Sequence, residues 1–283
     1  MKQLSASALL KLSRPPNGLM MFFAVLIGVL FSENRNINIE TAVYAFVTSF
    51  GLTSSSMALN DYFDKEVDLV NNPSRPIPSG QISESKAVVF AGFTAFVGLS
   101  AAFLTSMPCG LMASFTYVVA ALYNWFLKKT GFLGNLVVSF TVVAPFIYGS
   151  LLSDGTVTSR VLILALLAFL ANTGREVIKG MTDVEGDAVR KVSTIARQHG
   201  LPAAAKLGAA FYLTAVALSP LPYLLNVVGA LYMPVVAVAD AGFIYSSIIV
   251  LQSPTSGTAR KQKNLTLVWM LLALISFAVG GIF

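Results

Sequence analysis

The sequence predicts an all-α, polytopic membrane protein of about nine transmembrane helices, and three observations carry that reading. Of its 283 residues, 55% are hydrophobic and only 11% charged, against roughly 25% charged residues in soluble domains. Lys, Arg, Asp and Glu are absent from residues 15–32, 41–60, 87–127, 207–239 and 264–283, and about 20 such residues let a helix cross roughly 30 Å of hydrocarbon. These runs do not alternate apolar with polar residues. That excludes the strands of a membrane barrel and leaves helices, which satisfy their own backbone groups.

Taken in order, spans are expected at 15–32, 41–60, 86–105, 110–127, 132–152, 160–178, 203–220, 224–250 and 264–283. The first follows a basic flank like that of a signal peptide, but it is long and lacks a small-residue exit, so it is expected to be retained. Pro108 with Gly110 divides the third span from the fourth, and Pro220 with Pro222 the seventh from the eighth, because both residue types are costly inside helices. Nine spans put the termini on opposite sides. Seventeen Lys and Arg residues fall with the N-terminus and the even-to-odd connections, while only Arg35 and Arg160 fall on the other side. The positive-inside rule places the first set in the cytoplasm of a multi-pass cell-membrane protein. This asymmetry accounts for much of the net charge of +6, so no nucleic-acid partner is expected. Cys109 is the only cysteine, which excludes an intrachain disulfide and a Cys-based zinc site. His199, also alone, is expected in a loop without a catalytic role.

Nine of the thirteen acidic residues share the cytoplasmic side: Asp61, Asp64, Glu66, Asp68, Glu84, Glu176, Asp183, Glu185 and Asp187. In the first cluster Asn60, Asp64 and Asp68 recur every four residues, which is one face of a helix continuing out of the second span. Like charges at that spacing repel, so the ladder makes physical sense when a cation sits among the carboxylates. Hard oxygen ligands select Mg²⁺ or Ca²⁺, and Mg²⁺ commonly binds through one or two carboxylates plus substrate phosphates. An EF-hand is excluded, since the glycine and the terminal glutamate of that loop are missing. The second cluster, Asp183-Val184-Glu185-Gly186-Asp187, repeats the spacing after the sixth span. Four spans separate the clusters, so both emerge on one face. Arg75, Lys128, Lys129, Arg175, Lys179, Arg190 and Lys191 accompany them. Carboxylates bracketed by cations over an apolar bundle suit a metal-chelated pyrophosphate with an apolar tail. Asp240 lies mid-span, where a carboxylate is costly, and a structural hydrogen-bonded role is expected for it.

The pattern N-D-x-x-D-x-x-x-D after the second span, with D-x-x-x-D after the sixth, resembles the UbiA superfamily of intramembrane prenyltransferases. The resemblance covers essentially the whole chain, 1–283, as a single domain. It implies a nine-helix fold around a central cavity, with a cytoplasmic polar cap holding Mg²⁺ and pyrophosphate and a lateral opening to membrane lipid. The metal-binding positions it implies are Asn60, Asp64, Asp68, Asp183 and Asp187. Arg75 and Lys128 match the pyrophosphate contacts, with Tyr123 nearby on the fourth span. Catalysis is thus expected from Asp64, Asp183, Arg75, Lys128 and Tyr123, and substrate binding from Arg14, Asn17, Arg75, Lys128, Lys179 and Arg190. Arg14-Pro15-Pro16-Asn17, Arg75-Pro76-Ile77-Pro78-Ser79-Gly80, Gly134-Asn135 and Arg175-Glu176-Val177-Ile178-Lys179 look most like the archaeal digeranylgeranylglyceryl phosphate synthases. Gly180 departs from the pattern, standing where relatives often have a further aspartate.

The implied activity is Mg²⁺-dependent transfer of a prenyl group, geranylgeranyl by this resemblance, from its pyrophosphate to a lipophilic acceptor. That acceptor is geranylgeranylglyceryl phosphate, in archaeal ether-lipid synthesis. The same donor site suits an aromatic acceptor, such as a quinone, porphyrin or chlorin precursor, and Arg14 would bind a carboxylate as well as a glycerol phosphate. A secondary transporter is the rival of another class, but its acids are expected near the midplane and not at one mouth.

Overall fold

Prolines and short polar side chains set where the helices begin. Asn38, Ser106, Thr158 and Thr194 each accept a hydrogen bond from a backbone N–H three residues on, while Pro15, Pro108 and Pro202 occupy first-turn positions where a missing N–H costs nothing. The computed structural model describes residues 6–35, 37–182, 184 and 192–282, without the side chain of Asn71. Among these residues the chain is helical, with no strand. The helices are α1 (Ala6–Ser13), α2 (Pro15–Leu30), α3 (Ile39–Phe63), α4 (Lys65–Asn71), α5 (Glu84–Thr105) and α6 (Met107–Trp125). A short 3₁₀ turn at Leu127–Thr130 leads to α7 (Phe132–Asp154) and α8 (Ser159–Lys179). The chain ends with α9 (Ile195–His199), α10 (Leu201–Leu218), α11 (Leu221–Leu224), α12 (Tyr232–Gln252) and α13 (Ser256–Ile282).

Among the described residues, seven stretches are long and apolar enough to cross a membrane, counting Leu201–Leu224 as one, and eight if the bent pair α1–α2 forms a single span. Helix α6, expected as the fourth span, stands outside that set. The span expected at 224–250 starts later, at Tyr232. Asn226 takes a left-handed φ of 53°, which no continuing right-handed helix accommodates. Gly229 N–H then bonds Gly280 O at 2.7 Å, tying this connection to α13.

Helix α2 packs on α3 and α7, α3 on α5, α6 on α7, α7 on α8, and α8 on α10 and α13. Helix α12 joins α10 to α13, and α13 returns to α2, closing the bundle. Membrane helices gain little from burying apolar surface against one another, so close backbone approach does the work. At the α2–α7 crossing a Cβ on Gly28 would lie 2.2 Å from Phe146 O, and one on Gly149 2.1 Å from Val25 O. Some buried serines bond back to their own helices, Ser49 to Ala45 O and Ser247 to Phe243 O, both at 2.8 Å, while Ser55 crosses to Ala91 O on α5 at 2.7 Å.

The crossing predicts a contrast between two glycines. Gly149→Leu should lower the melting temperature in detergent by several degrees, since overpacking costs typically 1–3 kcal/mol. Gly92→Leu should leave it in place, because a Cβ at Gly92 meets nothing within 4 Å. Thermal scans of the two purified variants check this, and equal melting would contradict the packing.

Candidate active site

Arg14 sits between α1 and α2 in a left-handed conformation, φ 47° and ψ 66°. Such a backbone is uncommon for a residue with a side chain. Here it turns the helix axis by 46° and brings the guanidinium to Asp61. Asn17, one turn along α2, directs its Nδ2 to Met57 Sδ at 3.4 Å.

Asp61 is 1% exposed and also accepts a hydrogen bond from Arg75 Nη1 at 3.2 Å. The same Arg75 nitrogen pairs with Asp68, whose side chain is 4% exposed. Asp64 pairs with Lys128. Three carboxylates therefore meet three cations at the end of α3. The straight ladder expected of Asn60, Asp64 and Asp68 is interrupted, since α3 ends at Phe63 and α4 begins at Lys65. Asp64 occupies the junction at φ −95°. The register nevertheless survives: Asp64 N–H bonds Asn60 O at 2.9 Å, and Asp68 N–H bonds Asp64 O at 2.8 Å. Asn60 donates its amide to Asn124 Oδ1 at 3.1 Å, which leaves its own carbonyl oxygen free to accept. Asn124 is held in turn by Ser56 O and Oγ, at 3.1 and 3.2 Å. The exposed Lys65–Glu84 pair, 2.6 Å, ties α4 to α5 and raises the Lys65 ammonium above its ordinary pKa through the hydrogen bond to Glu84.

The end of α8 carries a second charge cluster. Glu176, 7% exposed, pairs with Arg175 and Lys179 at 2.8 Å each. Arg175 Nε reaches across to Lys263 O at 3.2 Å on α13. The turn after α6 links the two ends: Lys128 reaches Asp64 at the end of α3, and the chain that follows α8 returns to the same turn. Ser193 N–H bonds Lys129 O at 3.0 Å, which fastens this residue to the turn bearing Lys128. Gly131 lets it approach, with φ 71° and a Cβ position only 1.8 Å from Ser193 O. Asp183, Asp187 and Arg190 lie outside the described residues. Among the described residues no three His, Cys, Asp or Glu side chains converge on a position that could hold a metal.

Below the mouth, α2, α7, α8, α10, α12 and α13 enclose an apolar cavity lined by residues that include Met20, Ala171, Phe146, Tyr232, Met270 and Phe277. Asp240 borders it and accepts from Ser219 Oγ at 2.5 Å, and Tyr232 O–H bonds Ser219 O at 2.8 Å. Asp240 is thus part of a hydrogen-bonded network between α10 and α12.

Spacing gave no role to Asp61, Asn124 or Glu176. Asp61 is out of step with the four-residue ladder. The signal for the other two was a polar residue inside an expected span, which in a membrane protein marks a site by default.

Asp61 compensates two guanidiniums at once, so Asp61→Ala should cost about 3 kcal/mol. That is the low end for breaking a buried pair, because both arginines still reach solvent. Detergent melting of Asp61→Ala beside Lys65→Ala, which removes an exposed pair, measures it. Equal shifts would contradict the buried network.

The UbiA prenyltransferase family profile matches residues 21–278. The chain is 39% identical over 278 residues to the digeranylgeranylglyceryl phosphate synthase of Archaeoglobus fulgidus, covering 97% of this chain and 95% of that relative. A solved structure of a digeranylgeranylglyceryl phosphate synthase matches with a TM-score of 0.80 at 30% identity, over 98% of both chains. A UbiA homolog from Archaeoglobus fulgidus, bound to GPP and Mg²⁺, shares the fold with a TM-score of 0.69 at 16% identity, over 96% of this chain and 100% of that one.

Proposed function

The chain belongs to the UbiA prenyltransferase family, and we propose that it transfers a geranylgeranyl group from its diphosphate to geranylgeranylglyceryl phosphate, as in archaeal ether-lipid synthesis. One observation carries the reading: the turn after α6 joins the paired carboxylates and cations at the end of α3 to the chain that follows α8, above an apolar cavity. Full-length similarity to digeranylgeranylglyceryl phosphate synthases supports the acceptor, and GPP with Mg²⁺ in the homolog supports the donor and the ion.

The donor set fits Mg²⁺ in kind. Asn60, Asp64 and Asp68 offer hard oxygens, and Asp64 commits only one of its two to Lys128. With Asp183 and Asp187 they would hold the ion, which when bound neutralises diphosphate oxygens and so stabilises the leaving group. Arg75 and Lys128 supply charge-assisted hydrogen bonds to the same oxygens, and their aspartate partners hold them in position beforehand. Loss of the diphosphate leaves an allylic cation. Aromatic faces stabilise such a cation, and the apolar walls keep water from it. The acceptor hydroxyl attacks the cation and gives its proton to a carboxylate or to the released diphosphate.

The proposal includes a single nine-span domain over 1–283, counting α6 as a span, with the N-terminus and the polar site on the cytoplasmic side. The distribution of Lys and Arg supports that orientation. Native Cys109 is buried, so single cysteines report sidedness cleanly. Ser79→Cys should react with an impermeant maleimide only in inside-out vesicles, and Thr156→Cys only in right-side-out vesicles. The reverse pattern would overturn the orientation.

Asp64→Ala and Asp183→Ala should each lower transfer from geranylgeranyl diphosphate at least about a hundredfold, the scale of losing one preorganised charge-stabilising group, while melting stays near wild type. Unchanged turnover in both variants at saturating Mg²⁺ would overturn the reaction assigned to the site.

A further inference from the structure

The two charge clusters at the mouth differ in their balance. At the end of α3, Asp61, Asp64 and Asp68 answer Arg14, Arg75 and Lys128 one for one. At the facing ends of α8 and α13, Glu176 is the one described carboxylate paired with Arg175 and Lys179, the second acidic motif lying outside the described residues. Lys263 lies beside them on α13, its backbone carbonyl accepting from Arg175 Nε at 3.2 Å, and its ammonium donates no hydrogen bond among the described residues. Like charges gathered at the edge of the bundle repel, and an anion drawn between them relieves the repulsion.

The apolar cavity opens beneath this surplus. Ala171, one turn below Arg175, and Met270, two turns below Lys263, both line it. Its wall on α12 runs from Tyr232 to Phe243, roughly 16 Å of helical rise, which is room for a long isoprenoid chain. A cationic rim above a deep apolar pocket recognises an amphiphile with a compact anionic head. The diphosphate of the donor already has Arg75 and Lys128, together with the acidic motif.

We propose that Arg175, Lys179 and Lys263 seat the phosphate monoester of the prenyl acceptor, with the acceptor's apolar chain in the cavity between α2, α8, α10, α12 and α13. The seat rests on the function proposed above and adds to it the side chains that choose a phosphorylated acceptor.

Steady-state kinetics of the full chain in lipid nanodiscs test it, with geranylgeranylglyceryl phosphate and its dephosphorylated counterpart, geranylgeranylglycerol, as alternative acceptors. Lys263→Ala should raise KM for the phosphorylated acceptor roughly ten- to a hundredfold, the scale of one hydrogen bond to a charged group. It should leave KM for geranylgeranyl diphosphate and kcat/KM for geranylgeranylglycerol unchanged. Lys263→Arg should restore most of the loss, and Lys263→Gln carries the test if the alanine variant is unstable. An unaltered KM for the phosphorylated acceptor, or a rise confined to the diphosphate donor, overturns the seat alone. A wild-type chain that prenylates neither acceptor overturns the proposed function and the seat with it.

Discussion

Charge held at the edge of a membrane must be compensated where it stands, and in this chain Asp61 meets that constraint. Its carboxylate is closed off from solvent and joins Arg14, on the strained turn before α2, to Arg75, in the segment after α4. Desolvating such a group is expensive, and buried ion pairs return little net stability. What the arrangement supplies is position. Arg75 is aimed by Asp61 and Asp68, Lys128 by Asp64, and Arg14 by its own backbone conformation together with Asp61. In the proposed reaction, a diphosphate arriving at this mouth would meet cations whose geometry has already been set.

That positioning depends on helices that cannot slide. The Gly28–Gly149 crossing brings α2 against α7 at backbone distance, and hydroxyls bonded to their own helices leave few polar groups reaching toward lipid. Asn124 has the same office within the polar site: its amide joins Ser56 to Asn60 and so locks α6 to α3. The second half is held by different chemistry at its mouth, where Arg175 crosses from α8 to the backbone of α13. Among the described residues, the mouth is balanced on one side and cationic on the other.

Helical class, most span positions and the first acidic motif were legible in the sequence, because long uncharged runs and four-residue spacing are one-dimensional signals. The late start of α12 was not legible, since it turns on the left-handed backbone of Asn226, to which a hydropathy pattern is blind. Asn60, Asp64 and Asp68 keep their four-residue register, and Arg75 and Lys128 were expected near them, yet which cation pairs with which carboxylate was not legible. Arg75 reaches Asp68 from 7 residues away and Lys128 reaches Asp64 from 64, and spacing alone cannot tell a carboxylate waiting for a metal from one already paired with a cation. Glu176 was hidden for a similar reason. It stood within the Arg175–Lys179 stretch without a role, and its pairing with Arg175 and Lys179 is visible only in three dimensions.

The most direct measurement is the mass of the lipid formed when the purified chain is given geranylgeranyl diphosphate, geranylgeranylglyceryl phosphate and Mg²⁺. The account requires a phospholipid heavier than the acceptor by one geranylgeranyl unit, released with one diphosphate and absent when the ion is chelated. Recovery of both substrates intact, or hydrolysis of the donor with the acceptor untouched, would contradict it.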